Sequence, residues 1–241
     1  MLAALLLAAG NALAEHFVIG VEDIDYAPLM STDAGGRFNG HVRDLLDLFA
    51  HRNGHSFEYR ALPPRRLMIE HLAGRIDAVF PDNPNWQAEA KRGHDLSYSE
   101  PAVPFRDVVM VPPAAKDRPL RTLGIVRGFT PKRFEAEIAS GSLRVSEAAD
   151  PSRLIRMALA GRVDGVHVAL PVALYQLDRL GRAGALVPST ALASAPYERH
   201  YRLSSLRHAV LVAQFDRFLQ QDQAEIAALE RRHRIDDRLG R

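Results

Sequence analysis

The chain has 241 residues, 31 Lys and Arg against 29 Asp and Glu, ten histidines and a formal net charge of +2 at pH 7. That length holds one large domain or two small ones, and either buries a real core. A charge so close to balance, with no basic block alternating with aromatics, excludes a nucleic-acid footprint. Cysteine is absent, which excludes disulfides, thiolate zinc sites and cysteine nucleophiles.

Residues 1–14 combine a short apolar run with a small-x-small signal, Ala12-Leu13-Ala14, just before Glu15. They read as a secretory signal peptide with a bacterial periplasmic address, although a positively charged start is missing. The run is far too short to span a bilayer, and a buried N-terminal strand or helix is the alternative reading. After it, residues 16–22 form an expected strand and 23–39 a loop rich in turn residues. Residues 40–53 place leucines and Phe49 at helical spacing, closed by Gly54. A strand is expected over 56–61, a helix from Pro63-Pro64 to Gly74, and a strand over 76–80. Residues 81–93 are polar and irregular, Tyr98-Ser99-Glu100-Pro101 marks a turn, and 108–111 is a strand before Pro112-Pro113.

A second series then begins, with strands expected at 120–126, 143–146 and 163–168 and helices at 131–139, 152–160 and 171–180. Residues 185–203 return toward the start, and 206–234 is a long helical stretch with room for one break. Its last turn carries Arg231-Arg232-His233-Arg234, cations that suit a helix C-terminus. The two series share a phrase. Leu72-Ala73-Gly74-Arg75-Ile76-Asp77-Ala78-Val79 is nearly repeated as Leu159-Ala160-Gly161-Arg162-Val163-Asp164-Gly165-Val166. Each copy reads as an amphipathic helix stopped by a glycine free to take positive φ, then a buried strand. That is half of a parallel βαβ unit, and two distant copies point to two similar α/β lobes.

Five local motifs, taken in order, carry a resemblance. They are Asp25-Tyr26-Ala27-Pro28-Leu29, Gly40-His41-Val42-Arg43-Asp44-Leu45, Gly74-Arg75-Ile76-Asp77-Ala78, Tyr98-Ser99-Glu100-Pro101 and Gly128-Phe129-Thr130. Together they resemble the extracytoplasmic solute-binding proteins of ABC transporters, in the family that includes the polar amino-acid binders. The resemblance covers about residues 16–235 and implies an α/β, two-lobed Venus-flytrap of type II with two hinge strands. It implies a discontinuous first lobe, 15–105 and 197–241, and a second lobe, 106–196. The hinges are expected near 103–106 and 196–200. It also implies a small-molecule solute, a membrane permease as partner, a monomer and no metal or organic cofactor.

Candidate ligand contacts follow from strand ends and helix starts, where such folds bind. Tyr26 offers an aromatic face, or else packs its own loop. Arg66 opens a helix after two prolines, at the cleft mouth or on the surface. Gly128, Phe129 and Thr130 precede a helix whose first N–H groups suit an anion, or are simply capped. Arg92 stands seven residues before Ser99, the spacing at which the family forks an arginine onto the ligand carboxylate, with Lys91 an adjacent rival. The loop between is longer than the family's and brings Asp82, Asn83 and Trp86, which hold a polar ligand or fold onto their own lobe.

One departure bears on the ligand. Amino-acid binders of the family carry an acid five residues after the second Gly-x-Ile-Asp aspartate, and here that position is Ala169. The expected solute is therefore anionic or neutral and polar, not a zwitterion. His167, beside it, is either a polar contact or a core histidine. No nucleophile elbow, phosphate loop or metal set is present in the sequence, so the expected role is binding without catalysis. The fold also hosts cyclohexadienyl dehydratases, whose general acid would here be Glu22, Asp23, Asp25 or Asp82. A receptor's sensing domain is a third reading, and calls for a transmembrane segment not found before Arg241.

Overall fold

The computed structural model describes residues 15–33, 35–129, 131–191 and 200–235; the expected signal peptide and part of the second crossing lie outside them. In chain order, the first part has β1 (His16–Glu22), β2 (Ser31–Thr32), β3 (Phe38–Asn39), α1 (His41–Asn53) and β4 (Ser56–Leu62). It continues with α2 (Pro64–Leu72), β5 (Ala78–Asp82), α3 (Ala88–Lys91), β6 (Ser97–Tyr98) and β7 (Val103–Pro104). The second part has β8 (Asp107–Val111), β9 (Thr122–Val126), α4 (Glu135–Ala139), β10 (Arg144–Ala148), α5 (Pro151–Leu159), β11 (Gly165–Ala169), α6 (Leu170–Arg179) and β12 (Val187–Pro188). The chain then returns through β13 (His200–Ser205), α7 (Ala209–Gln221) and α8 (Gln223–Arg232). No helix among the described residues is long and apolar enough to cross a membrane.

Two main sheets result, one per lobe, beside a small β2-β3 pair. The first runs β4-β1-β5-β13-β6 and the second β10-β9-β11-β8-β12. In each, the first strand of a βαβ pair lies centrally, with parallel neighbours on both sides, and an antiparallel strand follows. The crossing strand β7 pairs with β13, Val103 opposite Tyr201.

The repeated phrase explains the likeness at atomic level. Gly74 and Gly161 take φ of 70° and 67°, left-handed values that end α2 and α5 without a Cβ clash. Three residues on, each aspartate turns back on the central strand of its own lobe. Asp77 Oδ2 accepts from the Val18 amide at 2.8 Å, and Asp164 Oδ2 accepts from the Arg121 and Thr122 amides, both at 2.8 Å. Those amides sit just before the parallel pairing with β5 and β11 begins, where they would otherwise lack a partner on that side. The strands β5 and β11 begin two residues later than the apolar pattern suggests. Ile76 and Val163 are buried, but Asp77 and Asp164 donate to Val18 and Thr122 from a turn.

Two expectations about element ends are corrected. β5 runs on through Pro81 to Asp82, because β13 supplies a partner there, Arg202 opposite Asp82. The helix expected over 131–139 opens instead as a 3-10 turn, Lys132–Phe134, and becomes α-helical only at α4. Pro131 is non-helical at ψ 59°, and the Phe134 amide bonds to the Pro131 carbonyl at 2.8 Å. Burial of Phe134, edge-on to His167 with centroids 5.7 Å apart, sets that tighter turn. The long C-terminal stretch breaks once, at Asp222.

Candidate functional site

The carboxyl ends of both sheets face one another across a pocket with about 540 Å³ of space between atoms, part of it open to solvent. Such strand ends are where open α/β sheets place ligands. From the first lobe, Glu22 ends β1, Pro81 lies late in β5, Tyr201 early in β13, and Tyr26 and Met30 come from the loop after β1. Trp86 and Gln87 reach in from the loop before α3, and Pro64 from the start of α2. The second lobe contributes Asp107 at the start of β8, Gly128 and Phe129 after β9, and His167 within β11.

The walls are largely aromatic. Tyr26 meets Phe129 from the other lobe with centroids 5.5 Å apart. Trp86 lies 5.8 Å from Tyr201, which stacks on Phe105 at 4.7 Å. Gln87 holds φ of 48°, an uncommon backbone state for a side-chain-bearing residue, and its Nε2 donates to the Pro64 carbonyl at 3.4 Å.

Glu22 is the unusual group. It is 7% exposed, and no donor among the described residues hydrogen-bonds its carboxyl. Burial first, and then the negative charge of Asp82, push its pKa up to about 8. At neutral pH it is a protonated acid facing the pocket. Across from it, Asp107 Oδ2 lies 4.0 Å from His167 Nε2. Burial lowers the His167 pKa, Asp107 opposes that shift, and Arg133 adds to it. The ring is therefore held toward its neutral form.

The expected site residues divide. Tyr26, Trp86, Gly128, Phe129 and the alternative contact His167 line the pocket together. Thr130 lies outside the described residues, and the helix after it is too irregular at its start to aim N–H groups at an anion. Arg66 is exposed on α2 and does not line the pocket. Arg92 is exposed and pairs with Glu89 at 2.6 Å. Its rival Lys91 is buried instead, its Nζ 2.6 Å from Asp82 Oδ1 and 2.8 Å from the Asn83 carbonyl. Asp82 and Asn83 are thus structural behind the pocket, Asn83 also donating to the His200 carbonyl at 3.1 Å. The guanidinium groups on which an anionic solute was expected are elsewhere.

Sequence reasoning passed over Asp107, Met30, Pro64, Pro81, Gln87 and Tyr201, and took Glu22 only as one of four acids. A signal for Glu22 existed, since it is the last residue of a strand at the sheet's carboxyl edge. Asp107 and Tyr201 had none, because their approach depends on where the two crossings lead.

The lobes touch directly around this pocket. The Ala169 amide donates to the Tyr26 hydroxyl at 3.0 Å. Arg65 approaches Glu147 of the second lobe at 3.8 Å, and Arg179 approaches Asp25 at 3.7 Å. A Cβ on Gly128 would meet Pro64 Cβ at 3.5 Å, so the second lobe's backbone sits against the first turn of α2.

No protein-family model and no curated protein matches the chain. Solved structures do. A histidine kinase sensor domain with similarity to periplasmic binding proteins matches at TM-score 0.71 and 20% identity, over 90% of this chain and 95% of that one. An ancestral amino-acid-binding protein, a precursor of cyclohexadienyl dehydratase, matches at 0.70 and 18%, over 90% and 94%. The substrate-binding protein of an amino-acid ABC transporter matches at 0.68 and 18%, over 94% and 100%. The fold is the Venus flytrap of the periplasmic binding proteins. At these identities the likeness is one of fold, and the ligand has to be argued from the pocket.

Proposed function

We propose that the protein is an extracytoplasmic solute-binding protein, acting as a monomer in the periplasm, that closes its two lobes around a small polar solute. Delivery of that solute to the permease of an ABC transporter is its task, and no chemical step is needed. One observation carries this reading. A pocket at the strand ends is walled by side chains from both lobes, with Tyr26 and Phe129 meeting across it. A ligand touching both walls favours the closed arrangement by its differential contacts. The neighbours in fold, a transporter's substrate-binding protein among them, support the same reading. The test is a thermal-shift screen of polar solutes, joined to mass spectrometry of small molecules released on denaturation. A solute that raises the melting temperature of the protein, and not of Tyr26→Ala or Phe129→Ala, is expected. A full panel without a shift, with nothing released, sinks the proposal.

Glu22 gives a second reading some support. A buried, protonated carboxylic acid facing a pocket that an Asp-His pair also lines is what general acid catalysis uses. In that case NMR shows a bound compound converted by the protein, and Glu22→Gln stops the conversion. Recovery of every bound compound unchanged removes this reading.

A further inference from the structure

On the reading that the pocket takes a solute, we infer that this solute is a small organic cation with N–H donors and no carboxylate, an amine or a guanidine, held between Glu22 and Asp107 by aromatic walls. Glu22 is the first ground. It is a nearly buried carboxyl with no hydrogen-bond donor among the described residues, and it lines the pocket. On its own Glu22 holds its proton at neutral pH; a cation beside it favours the ionised form, so binding releases that proton, and a ligand N–H then supplies the donor that the described residues do not. The second ground is the wall. Tyr26, Trp86, Phe129 and Tyr201 present rings around the same space, and the negative faces of such rings attract cations.

The third ground is what a carboxylate would meet. Among the described residues lining the pocket there is no Lys or Arg. Arg66 and Arg92 are exposed elsewhere, and Arg133 acts on His167 without itself lining the space. The amide of Ala169 is already given to Tyr26, and α2 presents Pro64 at the rim, a residue with no N–H. A buried carboxylate needs paired donors, and these walls offer it none of the strong ones. Asp107, by contrast, places a carboxyl on the wall opposite Glu22. Among the described residues the amino-acid clamp is thus missing at both ends, and the walls they form suit the opposite charge.

Agmatine and arginine make the test, since agmatine is arginine without its carboxylate. Calorimetric titration of the whole protein with agmatine, putrescine, arginine, glutamate and glucose is read alongside melting curves. Agmatine or putrescine is expected to bind at least roughly tenfold tighter than arginine. Glu22→Gln and Asp107→Asn, near-isosteres whose folding is checked by circular dichroism, are each expected to weaken the cation by roughly tenfold or more. If arginine binds as tightly as agmatine, or glutamate or glucose binds while both cations do not, the charge inference falls and the solute-binding reading stands. If no compound in this panel or in the wider screen binds, the solute-binding reading falls and takes the inference with it.

Discussion

Glu22 makes a pH signature that a merely polar residue would not. Its ordinary value is 4.5 and its folded value about 8. Below the lower value both folded and unfolded chains hold the proton, and Glu22 adds nothing. Between the two, the unfolded chain ionises while the folded one does not, so stability falls as pH rises and levels off above the folded value. At saturation the loss is on the order of 5 kcal/mol, a large part of a domain's margin. Buried histidines titrate the other way. Burial first, then the nearby His233, hold His41 down to about 4 against an ordinary 6.5, so its contribution is complete above the ordinary value and is lost on acidification. Asp82 acts on Glu22 and other groups titrate as well, so the clean reading is a difference between proteins in the neutral to alkaline range. Urea unfolding between about pH 7 and pH 9 is expected to show stability falling, with a clearly shallower slope in Glu22→Gln. Equal slopes in both proteins would place the titrating group elsewhere.

At the scale of elements, the two lobes repeat a construction that the sequence only half displays. The helix-glycine-aspartate phrase was legible, because a left-handed glycine and its flanking apolar residues leave a local mark. Less legible was the glycine in each central strand. Gly20 and Gly124 occupy matching places, and a Cβ on Gly20 would lie 2.5 Å from Leu67 Cδ1, one on Gly124 3.0 Å from Leu154 Cδ2. In both lobes the helix before the repeated phrase sits directly on that glycine, a fact of packing between distant segments that no local pattern carries. The same holds for Phe134, whose burial tightens a helix start, and for Arg92, whose spacing to Ser99 fits the family while its side chain points to solvent. Gly20→Ala is expected to cost about 1–3 kcal/mol by overpacking, and Gly124→Ala less. Leu67→Ala should recover part of the Gly20→Ala loss in a double-mutant cycle followed by urea unfolding. Additive losses would mean that the contact with Leu67 is not the cause.

For the whole molecule, the question is what holds the two lobes together. The ion pairs across the gap are exposed, Arg65 at 74% and Arg179 at 58% of their side chains, and such pairs contribute little. The buried contacts matter more. Tyr26 is 2% exposed, packs its ring on Phe129, and accepts the Ala169 amide. Tyr26→Phe keeps the ring and removes the acceptor, leaving an amide unpaired in the closed arrangement but free to meet water once the lobes part. An unmet buried donor costs about 1–3 kcal/mol, so the closed-to-open ratio is expected to fall roughly tenfold. Because the ring stays, stability of each lobe should change little, which separates closure from folding. Small-angle scattering should show a larger radius of gyration for Tyr26→Phe, with an unchanged melting midpoint in far-ultraviolet circular dichroism. A solute that needs both walls should bind the variant more weakly by the same factor, since only the closed form presents them together. If the radius stays the same while the midpoint drops, the hydroxyl supports the fold of the first lobe, and closure rests on the ring contacts with Phe129 and the seat of Gly128 on Pro64.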